Sequence, residues 1–312
     1  MAILVTGAGG FVGRALVGAL SAQGRGRIVA VDSRFGSPMQ GEGVEAVEAD
    51  LTDPAAIAQI CVGGIEAVIH LAAVPGGAAE ADPLLSRRVN VDATSDLIET
   101  VAKQGSRPRF VFASTIAVFG DPLPAEGVDD DTPLRPRLIY GAHKAMVETL
   151  VATMSRRGAI NGISLRLPGV VARPKGPSGL KSAFMSDLFH ALAAGEAFTS
   201  PVSEAAALWL MSVEQCAQNL VHALDVDEGL LPPSRAMTLP ALRVTMADLA
   251  AAVAAATGAD PALVGYAPDA ALEAAFGAHP PLSTALADTA GFRHDGQVGA
   301  LVAQALQGVR KS

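Results

Sequence analysis

Cysteine, runs of basic residues and long apolar stretches are what this 312-residue chain has least of. Its two cysteines, Cys61 and Cys216, stand in apolar, helical-looking contexts with no Cys or His at metal-ligand spacing. A disulfide framework and a metal site are therefore not expected, and two buried small hydrophobes in a reducing, cytoplasmic compartment are. Basic residues never run beyond two or three and the formal net charge is -8, so the footprint of a phosphate-backbone binder is missing and nucleic acid is excluded as a partner. No apolar run approaches the roughly 18 to 20 residues that cross a bilayer, since the alanine-rich residues 246–258 are short and contain Asp248 and Thr257, so no membrane partner is expected. The first thirteen residues lack the basic start of a signal peptide, and Thr6, Gly7, Gly9 and Gly10 break their apolar run.

What is present is a core-forming composition, 50% hydrophobic, enough for one large α/β domain with a smaller companion. Residues 2–5 read as a strand that leads into Thr6-Gly7-Ala8-Gly9-Gly10-Phe11-Val12-Gly13 and then an amphipathic helix. Glycines at 7, 10 and 13 let a backbone turn tightly against a pyrophosphate at a helix N-terminus. A second strand, residues 27–31, ends at Asp32, where a carboxylate would hydrogen-bond a ribose 2'-hydroxyl and repel a 2'-phosphate, favouring NAD over NADP. Arg34 beside it reads as solvated.

Further strands at 44–48, 67–70, 110–113 and 163–167 end at Asp50-Leu51, Leu71-Ala72-Ala73, Ser114-Thr115 and Pro168. In a doubly wound parallel sheet, these carboxyl ends face the ligand crevice. His70 alone reads as a packed, hydrogen-bonded histidine, and the single Trp209 as packing. Residues 173–179 lack core periodicity and read as a lid or substrate loop. The expected division is a dinucleotide-binding domain at 1–169, rejoined by 206–228, and a smaller, mostly helical substrate-binding domain at 170–205 and 229–312.

Tyr140 and Lys144, in Tyr140-Gly141-Ala142-His143-Lys144, stand four apart at the start of an apolar-periodic helix and so share one face. A lysine charge beside a phenol favours the phenolate, which predicts a lowered tyrosine pKa and a proton acceptor near neutral pH.

Each of these features has an ordinary structural reading; their ordered set resembles an extended short-chain dehydrogenase/reductase. The resemblance rests on the glycine turn, Asp32, Asp50-Leu51, His70-Leu71-Ala72-Ala73, Asn90, Phe112-Ala113-Ser114-Thr115, Val118-Phe119-Gly120, Tyr140-Gly141-x-x-Lys144 and Leu165-Arg166-Leu167-Pro168. Arg107-Pro108-Arg109, Ser155-Arg156-Arg157-Gly158 and Met237-Thr238-Leu239-Pro240 further resemble the D-erythronate dehydrogenases, with Leu208 and Leu210 flanking Trp209 where that group is polar.

The resemblance implies NAD as cofactor, bound by Gly7, Gly10, Phe11, Val12, Gly13, Asp32, Asp50, Leu51, Leu71, Ala72, Ala73, Tyr140, Lys144 and Pro168. It implies a small sugar acid oxidised at C2, with Tyr140 as base and Lys144 lowering its pKa and holding the nicotinamide ribose. Thr115 would bond the reacting oxygen with help from Ser114, and Asn90 would support Lys144 through backbone or water contacts. A 2-hydroxy acid also needs a cationic clamp, for which Arg173 is the candidate. The family's four-helix interface implies a homodimer through residues 82–101 and 140–157. Two alternatives are a nucleotide-sugar epimerase or dehydratase with retained NAD, using Lys175, Lys181 and Arg235, and a non-catalytic dinucleotide sensor.

Overall fold

A computed structural model describes residues 2–120, 122–175 and 181–309. Its strands are β1 (Ala2–Thr6), β2 (Arg27–Asp32), β3 (Val44–Glu48), β4 (Ala67–His70), β5 (Arg109–Thr115), β6 (Asn161–Leu167), β7 (Gly169–Val171), β8 (Phe198–Ser200), β9 (Ala207–Ser212), β10 (Ala236–Thr238), β11 (Leu242–Thr245) and β12 (Val264–Tyr266). Seven of them make one parallel sheet in the order β10-β6-β5-β4-β1-β2-β3. That order runs outward in both directions from the β1/β4 pair, which is the doubly wound arrangement with a crevice at the reversal point.

The local sequence explains the layers. β1 is apolar at successive positions because both of its faces are covered: Ile3 and Val5 pack with Leu16, Leu20 and Leu220, whereas Leu4 packs with Ile57, Leu97 and Phe110. At the sheet's edge β3 reads VEAVE and is largely exposed. Register aligns the carboxyl ends, with Thr6 opposite Val31 and His70, His70 opposite Phe112, and Thr115 opposite Leu167.

The helix Val213–His222 buries Cys216, Ala217 and Leu220 against the first helix, Phe11–Ala22, so that the chain returns to the main sheet after its first excursion. The second lobe is built on the sheet β11-β9-β7 and the helices Phe184–Ala193, Met246–Thr257 and Val298–Val309, around a core that includes Phe189, Leu208 and Val253. Parts of the 229–312 range lie with the main sheet: β10 pairs with β6, and Ala287, Ala290 and Phe292 join the first core. The expected long helix over 82–101 also divides into Pro83–Arg87, a π-turn at Arg88–Asp92 and Ala93–Ala102. Among the described residues no helix is long and apolar enough to cross a membrane.

The turn after β1 depends on absent side chains. Gly7 has φ +69°, and a Cβ on Gly13 would lie 2.1 Å from the Gly7 carbonyl oxygen. Gly13→Ala must move backbone, and we expect it to lower stability by about 1–3 kcal/mol in urea unfolding. An unchanged midpoint would contradict this packing.

Candidate active site

The carboxyl ends of β1, β4, β5 and β6 surround a cleft of about 300 Å³. Gly7, Gly10, Phe11, Val12 and Gly13 line it on one side, Leu71 and Ala73 on another, and Ser114, Thr115, Tyr140, Lys144, Pro168 and Arg173 close it. Asp32, Asp50, Leu51, Ala72 and Asn90 lie off this wall.

Tyr140 and Lys144 occupy the first turns of the helix Ile139–Arg156. Gly141 lets that helix approach the turn after β5, since a Cβ there would stand 2.5 Å from the Ala117 carbonyl oxygen. Lys144 is 2% exposed. Its Nζ donates to the Ala113 carbonyl oxygen at 2.7 Å and lies 4.5 Å from the centre of the Phe112 ring and 5.7 Å from that of Tyr140. Burial pulls its pKa down to about 7, against the opposing charge of Glu148. Burial also pushes the Tyr140 phenol up to about 12, with Arg173 acting in the opposite sense. The lowering expected from the Tyr/Lys spacing is thus reversed, because desolvation outweighs the neighbouring charges and the lysine charge is itself weakened by burial.

Thr115 Oγ1 accepts the Ala117 N–H at 3.2 Å, capping the turn Ile116–Val118 and leaving the hydroxyl proton free to donate. Ser114 Oγ donates to Glu148 Oε1 at 2.5 Å. Arg173 is fixed through its backbone, its N–H donating to Ser186 Oγ (3.0 Å) and its carbonyl meeting His190 Nε2 (2.6 Å). Its guanidinium pKa is lowered by burial and supported by Tyr140. The expected loop continues from Arg173 into residues 176–180, which lie outside the described residues.

The Asn90 side chain is bonded to the loop after β4 and to the helix Pro83–Arg87. It accepts the Val74 N–H (2.7 Å) and donates to the Val74 carbonyl (3.0 Å) and Ser86 Oγ (3.1 Å). It therefore clamps the 71–75 loop, whose Leu71, Ala73 and Pro75 form part of the wall.

His70 is a tie between elements. Thr94 Oγ1 donates to the Asn90 carbonyl (3.0 Å), so it accepts from His70 Nε2 (2.9 Å), and Thr6 donates to His70 Nδ1 (2.6 Å). Full burial drives this histidine's pKa down to about 3.

Three residues at the site were not foreseen. Gly9 donates its N–H to Asp32 Oδ2 at 2.9 Å and aims that carboxylate. Glu148, 4% exposed, is held by the fork of Arg166, with Nη2 to Oε2 at 2.9 Å and Nε to Oε1 at 3.1 Å. The available signals were a second acid-bearing turn, Lys144-x-x-x-Glu148, and an arginine inside an otherwise apolar strand. Asp50 accepts the Thr52 N–H and hydroxyl, both at 2.8 Å, which lowers its pKa, and Leu51 packs in the core with Val31 and Ile57.

The residues present suit a dinucleotide. Gly10 caps the first helix without a side chain, no acid stands in the first turn, and the first helical bond is Arg14 N–H to the Gly10 carbonyl at 2.9 Å. The amides of Phe11, Val12 and Gly13 are thus without intrahelical acceptors and suit a pyrophosphate. Arg14 stiffens the turn by donating to the carbonyls of Gly9 (3.1 Å) and Ser37 (2.8 Å).

The model of the NAD dependent epimerase/dehydratase family matches residues 3–232. The D-erythronate dehydrogenase of Cupriavidus necator is 37% identical over 268 residues, 83% of this chain and 82% of that protein. The D-erythronate dehydrogenase of Haemophilus influenzae is 34% identical over 253 residues, 80% of each. Among solved structures, a nucleoside-diphosphate-sugar epimerase from Agrobacterium tumefaciens superposes with a TM-score of 0.87 at 29% identity, covering 97% of this chain and 92% of that one.

The histidine tie has a consequence for pH. His70 is neutral in the fold down to about pH 3 but takes up a proton near 6.5 when unfolded, so its contribution is complete above 6.5 and is lost as pH falls. The stability advantage of the wild type over His70→Gln should shrink by about 1.4 kcal/mol per pH unit between pH 6 and 4. Urea midpoints at several pH values check this, and a constant difference would refute it.

Proposed function

The chain belongs to the NAD dependent epimerase/dehydratase family, and we propose that it is an NAD-dependent dehydrogenase that oxidises the C2 hydroxyl of a small sugar acid of the D-erythronate kind to the 2-oxo acid. The observation that carries this reading is the convergence, on one cleft, of the glycine cradle, Tyr140, Lys144, Thr115 and the Arg173 guanidinium. Two relatives named for that activity support the substrate class.

Bound NAD supplies the hydride acceptor, a positively charged nicotinamide ring. The amides of Phe11, Val12 and Gly13 hold its pyrophosphate, Asp32 its adenosine ribose, and Pro168 borders the nicotinamide side. Asp50 and Leu51 serve the adenine end, and Leu71, Ala72 and Ala73 the surface beneath. Lys144 holds the nicotinamide ribose. Tyr140 takes the proton of the substrate's C2 hydroxyl at its phenolic oxygen. Because burial holds the phenol's pKa high, the phenolate is a strong base once formed, and the Arg173 charge opposes that rise and favours its formation. Thr115 donates to the C2 oxygen, and Arg173 pairs with the substrate carboxylate through its planar fork. Residues 170–175 and 182–205 and the second-lobe part of 229–309 form the substrate side of the crevice.

The likeness to the Agrobacterium tumefaciens epimerase is one of fold, and two of the basic residues named for an epimerase are engaged elsewhere. Arg235 lies at the amino end of β10, away from the cleft, bonded to Glu228 and Asn161, and Lys175 pairs with Glu196. The side chain of Lys181 lies outside the described residues. Leu84, Leu85, Leu138 and Met146, 42–76% exposed on or beside the helices Pro83–Arg87 and Ile139–Arg156, support a homodimer.

NAD and D-erythronate should yield NADH; absence of NADH with every four- or five-carbon aldonate would overturn the reading. Tyr140→Phe should lower kcat by about 10²–10⁴-fold while leaving NAD affinity within about threefold, and undiminished turnover would remove the phenol from the role of base. Gel filtration should give a dimer, and a monomer across micromolar concentrations would contradict the interface.

A further inference from the structure

Thr115 and Ser114 are neighbouring hydroxyls on the same cleft, but their protons are disposed in opposite ways. Thr115 Oγ1 receives the Ala117 N–H and keeps its own proton to give. Ser114 Oγ has already given its proton to Glu148 Oε1, 2.5 Å away. Glu148 cannot return the favour: a carboxylate paired with arginine is an acceptor only. Arg166 reaches it with Nε and Nη2, and Arg166 is itself held between Phe119, 5.0 Å from the guanidinium carbon to the ring centre, and Asp130, 3.8 Å from Nη1. Asp130 is in turn anchored by the Thr238 N–H at 2.7 Å. Ser114, Glu148 and Arg166 are all at least nine-tenths buried, so their donor pattern is set mainly by one another. Three strand ends, those of β5, β6 and β10, thereby fix the direction of one hydroxyl proton.

We propose that Glu148 is a positioning residue that leaves Ser114 able to act only as a hydrogen-bond acceptor in the cleft, and that Ser114 thereby selects substrates carrying a second hydroxyl next to the carbinol that is oxidised. The inference rests on the sugar-acid reading above and sharpens its substrate class. A ketone or carboxylate oxygen offers Ser114 nothing, because both partners would be acceptors. A vicinal hydroxyl offers a proton, and its absence leaves a buried acceptor unsatisfied. Thr115, the donor, then meets the oxygen that becomes the ketone, while Ser114 meets the hydroxyl that is retained. A 2-hydroxy acid without oxygen at C3 fits the carboxylate clamp and the base but not Ser114.

The test compares D-erythronate with its 3-deoxy analogue, 2,4-dihydroxybutanoate, by kcat/KM with saturating NAD. The wild-type enzyme should prefer the trihydroxy acid by about 30-fold or more. In Ser114→Ala the ratio should fall to within about threefold of unity while the KM for NAD is unchanged. In Glu148→Gln the amide oxygen satisfies Arg166, the amide N–H₂ donates to Ser114 and the serine proton is released into the cleft. The ratio should collapse there too, although Ser114 is intact, an outcome that loss of packing alone would not give; Ser114→Ala keeps the proposal testable if Glu148→Gln does not fold. A wild type that oxidises neither acid overturns the dehydrogenase reading and this inference with it. A wild type that oxidises both acids alike, a ratio that survives in Ser114→Ala, or a raised KM for NAD with the ratio intact overturns this inference alone.

Discussion

The site depends on an ammonium group buried in the wall of the cleft. Lys144 is almost wholly buried, yet its Nζ has one short bond to the Ala113 carbonyl and the face of Phe112 for company. Burying such a charge is costly unless the surroundings compensate. Here they do so with a strand-end carbonyl, an aromatic ring and Glu148 one turn further along the helix. The same contacts weld the helix Ile139–Arg156 to β5, which makes the placement of Tyr140 on the same cleft as Thr115 a by-product of solving the lysine's own problem. Glu148 then passes the constraint to Ser114 and, through Arg166, to β6 and β10.

A second set of ties acts on the other side of the crevice. Thr6, His70 and Thr94 join β1, β4 and the helix Ala93–Ala102 by hydrogen bonds whose donor order is fixed by the Asn90 carbonyl. Asn90, brought to this point by the π-turn, spends its side chain on Val74 and so shapes the loop that floors the cleft. At the carboxyl ends of the strands the protons of Thr6, Thr94, Asn90 and Ser114 each have a defined acceptor. That is the condition under which a site can distinguish a donor from an acceptor on a ligand.

Much of this was legible in the sequence wherever the signal is local. The glycine turn, Asp32, the strand ends and the Tyr140/Lys144 spacing are short patterns whose geometry follows from a helix or a strand alone, and the sheet follows from their order. What could not be read are the pairings between distant segments. Ser114 with Glu148, Asn90 with Val74 and Gly9 with Asp32 are set by register and crossing geometry, to which no spacing rule applies. The pKa of Tyr140 shows the same limit in energetic form: spacing supplies the neighbouring charge, but the size of the desolvation opposing it depends on how deeply the fold encloses both groups.

The central claim is that the cleft removes hydrogen from C2 of a sugar acid, and isotope transfer tests it most directly. D-erythronate carrying deuterium at C2 should give NADH labelled with one deuterium, detected by mass spectrometry of the reduced cofactor. Unlabelled NADH from that substrate would mean that the hydride comes from another carbon and would contradict the assignment of Tyr140, Thr115 and Arg173 around C2.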